Sequence, residues 1–318
     1  MRRWHAPEPE TIPILVREPS GVMVRQMRDR VVVGRSAAVG AVAFMAVGPS
    51  IVKKVEMAEM AFVFWRLGVA SAFYALVFVL VGNRLRWKDL RRSIVGGLLF
   101  AANLVFFILS MRRTSAVNAV VIASMQPVLL LAVGHRLFGE RPHRSVYVGA
   151  VVAFSGVLVA MAGSGASGVA TWSGDLFAAV TTILFPAYYV VSKQARADLD
   201  SATYQLSLTV VAAVAMVPVV LVAEGGMAVP SGGNWILVVA MAVLPGTGHL
   251  LTNFAHGHVT LTQMSLINLL FTAVAPLYAW WLVGERVGGQ QALGMAVVMT
   301  ALAFVVTRPV EVVDLSGD

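Results

Sequence analysis

Ten long apolar runs, each broken from the next by a short polar stretch, govern what this 318-residue chain can become. They lie near residues 36–52, 60–82, 93–111, 115–138, 145–162, 174–192, 203–223, 235–255, 262–283 and 289–307. Each approaches the roughly 17 to 25 residues that carry a helix across a hydrocarbon core about 30 Å thick. With 58% hydrophobic and 13% charged residues and a mean hydropathy of +0.80, the chain cannot cover itself with a water-compatible surface. An unpaired backbone amide in lipid costs several kcal/mol, which leaves helices or a closed barrel. The runs are continuously apolar and lack the alternation of a barrel strand. The expectation is therefore an all-α polytopic membrane protein with ten transmembrane helices.

The net charge of +8 does not imply a nucleic-acid partner, because the basic residues sort by loop. With the N-terminus inside, 18 of the 24 Lys and Arg residues fall on the cytoplasmic side, from the Arg-rich tail and Arg84 to Arg92 through Arg136, Lys193 and Arg308. Lys53, Lys54, Arg112, Arg113 and Arg286 fall outside, and Arg66 lies within a span. This positive-inside bias puts both termini in the cytoplasm and the protein in the cytoplasmic membrane. Residues 1–33, rich in Arg, Pro and Glu and without a secretory signal, read as a disordered cytoplasmic tail, and residues 308–318 as a short cytoplasmic one. The chain has no cysteine, which excludes disulfides, thiolate metal sites and thiol catalysis.

The tripeptide Gly-Glu-Arg occurs twice, at Gly139 to Arg141 and at Gly284 to Arg286, a separation of 284 − 139 = 145 residues. At that offset Gly149 falls on Gly294, and the run Val151 to Met161 on the apolar run Ala296 to Val306. The chain thus reads as two repeats, 34–162 and 174–307, joined by a linker at 163–173 that holds Gly163 to Gly168 and carries no charge. Five spans per repeat is odd, so the second copy enters the membrane in the opposite sense, as two inverted-topology five-helix repeats. Pro49 to Lys54 resembles Pro186 to Lys193, but in a different register. Small residues at four-residue spacing, Gly149 with Ala153 and Gly156 with Ala160, allow close approach to a helix of the same bundle or to a second protomer in a homodimer.

These features resemble the EamA family of the drug/metabolite transporter superfamily. The residues that carry the resemblance are Thr114 to Ala116, Pro127, Gly139 to Arg141, Gly149, Trp65 with Arg66, and Gly284 to Arg286 with Gly294. It covers roughly residues 36 to 307. It departs at Pro276, eight residues before its Gly where Pro127 is twelve before. The resemblance implies a secondary carrier of small metabolites, amino acid-like or related compounds, with export favoured.

A carrier needs polar groups at mid-membrane facing a cavity between its halves. The candidates are Asn103 in the third span, Asn118, Ser124 and Gln126 in the fourth, His249, Asn253 and His256 in the eighth, and Ser265, Asn268 and Thr272 in the ninth. Helix-to-helix bonding is the competing use of any one of them. Arg66 has three open uses: reaching outward to Glu59 on its own helix face, bonding to carbonyls, or drawing in an anionic substrate group. Tyr189, with Trp65, Tyr188, Trp280 and Trp281, serves as an aromatic contact or as an interface anchor. Pro127, Pro186, Pro245 with Gly246, and Pro276 are expected to kink their helices, since each removes a helical hydrogen bond. Glu140 and Glu285 read as structural residues at helix ends.

No Asp or Glu stands in the middle of a span, which argues against a carboxylate-driven proton antiporter and for movement down a gradient or coupling through substrate charge. No catalytic cluster, metal site or cofactor motif is present, which sets an enzyme behind a transporter and a membrane scaffold or receptor. The expected partners are a small-molecule substrate and the lipid bilayer.

Overall fold

The computed structural model describes residues 21–113, 122–123, 126–162, 171–284, 288–306 and 310–312. The described part is helical apart from one short strand pair. Its helices are α1 (Gly21–Met45), α2 (Gly48–Lys54), α3 (Glu59–Val81), α4 (Trp87–Arg113), α5 (Gln126–Phe138), α6 (Arg144–Ala162), α7 (Trp172–Ala195), α8 (Ser201–Glu224), α9 (Gly232–His256), α10 (Leu261–Asn268), α11 (Leu270–Val283) and α12 (Gly289–Val306). Seven stretches among the described residues are long and apolar enough to cross a membrane: Asp29–Lys54, Glu59–Val81, Trp87–Arg113, Trp172–Ala195, Ser201–Glu224, Gly232–His256 and Leu261–Leu282. The first combines α1 with α2, and the last α10 with α11, each broken by a short turn.

The sequence places the stops and starts. Gly139 after α5 and Gly284 after α11 have φ of 61° and 75°, the left-handed conformation that ends a helix and that a side chain resists. The glycine of each Gly-Glu-Arg is thus a helix stop. Asp200 and Thr171 accept from backbone N–H groups at the starts of α8 and α7, and Thr260 with Gln263 forms a capping box on α10. Strand β1 (Glu140–Pro142) pairs antiparallel with β2 (Val310–Val312), joining the first Gly-Glu-Arg to the chain after α12.

Helices of the first half pack against helices of the second: α1 on α9, α3 on α8, α4 on α7, α5 on α10 and α6 on α12. Numbered by the apolar runs of the sequence these are 1 with 8, 2 with 7, 3 with 6, 4 with 9 and 5 with 10, a pattern that exchanging the halves leaves unchanged. Helices α3 and α8 run antiparallel. At one end Glu224 accepts from the N–H groups of Met60 (2.7 Å) and Ala61 (3.1 Å); at the other, Asn83 Nδ2 donates to Asp200 Oδ1 (2.9 Å). These ends are called below the Glu59 end and the Asn83 end. Asn234 adds to the first by accepting from Glu56 N–H and donating to Glu56 C=O, both at 3.1 Å.

One expectation changes. The disordered tail does not extend to residue 33: α1 begins at Gly21, because residues 22–33 hold no proline or glycine and include many good helix formers. Pro127 is the second residue of α5, and residues 124–125 just before that helix lie outside the described ones. Pro186, Pro245 and Pro276 do stand inside helices, as does Pro218. The small-residue face of α6 packs within the molecule: Gly156 comes so close to α12 that a Cβ there would lie 2.9 Å from Gly294 C=O. Residues 114–121, the linker at 163–170, and Glu285 and Arg286 lie outside the described residues.

Candidate functional site

A cavity of about 170 Å³ lies between the two halves, nearer the Glu59 end. Helical periodicity decides which side chains reach it. From α4 come Asn103, Phe107 and Ser110; from α7 Ala178, Thr181, Thr182 and Phe185; from α9 Met241, Pro245 and His249. Arg66 enters from α3, Gln126 and Leu130 from α5, and Met45, Gly48 and Pro49 from the α1–α2 turn. The second broken span contributes Ser265, Asn268, Leu269, Phe271 and Thr272.

The lining has an apolar body and a few polar points, the usual make-up of a small-molecule site. Three of those points are buried atoms without a hydrogen-bond partner: Asn103 Oδ1, Thr181 Oγ1 and His249 Nδ1. Leaving such an atom unpaired costs on the order of 1 to 3 kcal/mol. The His249 ring packs nearly perpendicular to Phe100, 4.7 Å between centroids. Prolines add backbone acceptors. A proline frees the carbonyl four residues before it, and for Pro186, Pro245 and Pro276 that carbonyl belongs to Thr182, Met241 and Thr272, all lining residues. Pro218 frees Val214 instead, an exposed residue away from the cavity.

Arg66 is 3% exposed and lines the cavity. It does not reach outward to Glu59. That carboxylate is taken bidentately by Arg113, whose Nη1 and Nη2 donate to Oε1 at 2.8 Å and Oε2 at 3.0 Å. Arg112 closes the same corner by donating to the carbonyls of Val55 and Met57 at 3.2 and 3.1 Å.

The candidates from the sequence therefore divide. Arg66, Asn103, Gln126, His249, Ser265, Asn268 and Thr272 line one cavity, with Pro245 and Pro276's freed carbonyl. Asn253 does not line it. Its side-chain amide donates to Tyr188 Oη (3.3 Å) and to Gln205 Oε1, and its backbone carbonyl accepts from Arg196 Nε (2.7 Å), so it ties α9 to α7 and α8. Tyr189 is absent from the lining too. It is fully buried, stacked edge-on against His256 (4.8 Å) and packed on Phe185 (4.3 Å), so it is neither a cavity contact nor an interface anchor. His256 sits in that same buried layer, whereas Trp280 and Trp281 are exposed on the outer surface of the bundle. Gly246 accepts at its carbonyl from Tyr74 Oη (2.6 Å), which covers the bend at Pro245. Asn118 and Ser124 lie outside the described residues.

The profile of the EamA-like transporter family matches this sequence twice, over residues 33–162 and 172–307. The chain belongs to the EamA-like transporter family. It is a member of the drug/metabolite transporter superfamily, a multi-pass membrane transporter and not an enzyme. Among curated proteins it is similar to the uncharacterized transporter YxxF of Bacillus subtilis (strain 168), 24% identical over 223 residues that span 70% of this chain and 71% of that protein. A solved crystal structure superposes with a TM-score of 0.69 at 17% identity, covering 87% of this chain and 97% of that one, a likeness of fold.

Thr181, Thr182, Phe107 and Phe185 are lining residues of this EamA-like protein that reasoning from sequence passed over. The signal for two of them was present. Pro49 and Pro186 are 137 residues apart, and at that offset Met45 falls on Thr182 and Gly48 on Phe185. All four line the cavity.

Proposed function

We propose that the chain is a secondary transporter of ten transmembrane helices, arranged as two inverted repeats at 34–162 and 174–307, moving a small metabolite by alternating access. The observation that carries this is the cavity at the interface of the halves, to which both contribute polar groups: Arg66, Asn103 and Gln126 from the first, Thr181, His249 and Asn268 from the second. Two family matches, one on each half, and the antiparallel course of the corresponding helices α3 and α8 support the inverted repeat. The positive-inside bias makes the Asn83 end cytoplasmic, in the cytoplasmic membrane, with both termini inside. The cavity then lies toward the outside and the arrangement is outward-facing, closed below by the layer of Asn253, Tyr188, Tyr189 and His256. The reading is tested by solute flux in proteoliposomes after untargeted comparison of medium from cells with and without the protein. Accumulation of a compound outside overexpressing cells, with saturable flux of it through vesicles, is the expected result. Metabolite profiles and vesicle fluxes indistinguishable from those of empty controls would remove the transport reading and leave a scaffold or receptor.

A further inference from the structure

We infer that the cavity takes a single-headed organic anion, a carboxylate or sulfonate on an apolar body about the size of a benzene ring, with Arg66 as the partner of its head group. The inference rests on the carrier reading and narrows it. Arg66 is buried, and its only nearby carboxylate on the same helix, Glu59, is held by Arg113 with both guanidinium nitrogens. Among the described residues no carboxylate lines the cavity, and the sequence has no Asp or Glu between Asp89 and Glu140 or between Glu224 and Glu285, the stretches that supply most of the lining. A buried guanidinium without a counterion is costly, so an incoming anion is its natural complement. A planar fork that donates two parallel hydrogen bonds suits a carboxylate or sulfonate head.

The rest of the lining defines the body. Phe107, Phe185, Phe271 and Met241 form apolar walls. A dry cavity of about 150 Å³ holds benzene, so the about 170 Å³ here holds a ring-sized group. With no acidic side chain in the lining, a zwitterion's ammonium would have only neutral acceptors to replace its water. That sets the simple anion ahead of the amino acid with the same side chain.

Four ligands on one ring separate the possibilities: benzoate as anion, phenylglycine as zwitterion, benzylamine as cation and benzyl alcohol as neutral. Each is titrated into the purified full-length protein by thermal shift in dilute Tris-sulfate buffer free of chloride and of organic anions. Flux is followed in proteoliposomes with benzenesulfonate, whose permanently ionised head does not cross lipid unaided. Benzoate should stabilise the protein, the other three should do so far less, and benzenesulfonate should move. Arg66→Gln should weaken benzoate binding roughly 30-fold or more, and Arg66→Lys should recover part of it.

Because Arg66→Gln removes an uncompensated charge, its ligand-free melting temperature should equal or exceed that of the parent. A lower one, with benzoate affinity intact, would assign Arg66 a structural role. Equal binding of phenylglycine and benzoate would overturn the single-headed class, and so would binding by benzylamine or benzyl alcohol alone. Full protection by chloride with none by benzoate would make the counterion inorganic and overturn the proposal as well. Each of these leaves the carrier reading standing, whereas a folded protein through which no metabolite moves removes the carrier reading itself.

Discussion

Asn253 shows how far a polar residue in an apolar span can be read without its neighbours. His249, Asn253 and His256 share one face of α9, and the sequence places all three before a common cavity. The cavity floor falls between the first two, so His249 lines it and Asn253 joins helices. Periodicity selects the face of a helix, but the depth at which a cavity ends depends on what α7 and α8 place opposite. Asn253→Leu is accordingly expected to strand the Gln205 and Tyr188 partners and to destabilise by about 1 to 3 kcal/mol, as seen by thermal unfolding in detergent. The dissociation constant of whatever ligand the protein takes should stay within about twofold, since Asn253 is not among the residues that line the cavity. A large loss of affinity at unchanged stability would return Asn253 to the site. Arg66 illustrates the reverse limit. Its burial could be read from its position two turns into a span, but Glu59 seven residues earlier invited a pairing that Arg113, 54 residues beyond it, had already filled.

At the scale of elements, the halves are held by close backbone approach and by capping across the interface. A Cβ on Gly97 would stand 2.6 Å from Val211 Cγ1 and 2.8 Å from Leu208 C=O, and the carbonyl cannot swing aside. Gly97→Val should therefore push α4 off α8 and destabilise by about 1 to 3 kcal/mol, measured as a fall in melting temperature. Glu224 caps α3 from the far half through Met60 and Ala61, and Glu224→Ala is expected to cost about 1 kcal/mol. At the other end Asp200 caps α8. Burial works to raise its pKa, but hydrogen bonds from Thr203 and from the backbone, with Arg196 nearby, hold it below the usual carboxylate value. Its stabilisation is therefore complete above the unfolded pKa and is lost as pH falls through the folded one. An acid melting series should show a smaller loss for Asp200→Asn than for the parent. The helix stops were legible because Gly139 and Gly284 announce themselves twice at one offset. The caps were not, since Glu224 and Asn234 act on residues 160 or more positions away.

For the whole molecule, ten apolar runs and a repeated tripeptide were enough to anticipate a helical membrane protein of two similar halves, because lipid leaves a chain few ways to satisfy its backbone. The pairing of spans was less accessible: it depends on where the second half docks, and the register before span four shifts by eight residues between the copies. At the 145-residue offset Ala123 falls on Asn268 and Gln126 on Phe271, and all four line the cavity, so the internal symmetry locates the site better than polarity does. Two consequences follow for transport. A Cβ at Gly34 would overlap His258 Cβ, closer than the 3.5 to 4.5 Å of a disulfide, so in a chain with no cysteine of its own a cross-link there forms once the two segments part slightly. The double substitution Gly34→Cys with His258→Cys, oxidised, should hold the Asn83 end shut, abolish flux and preserve ligand binding, with reductant restoring flux; undiminished flux in the cross-linked protein would rule out opening at that end. The second consequence is electrical. If one anion leaves per cycle and no proton is exchanged, an inside-negative potential drives export with about 2.3 kcal/mol per charge per 100 mV. Benzenesulfonate release from vesicles should therefore accelerate when a valinomycin-clamped potassium gradient makes the lumen negative, and slow when it makes the lumen positive. A rate that follows the pH gradient and ignores the potential would replace charge coupling with proton coupling, for which no membrane-embedded carboxylate exists in this sequence.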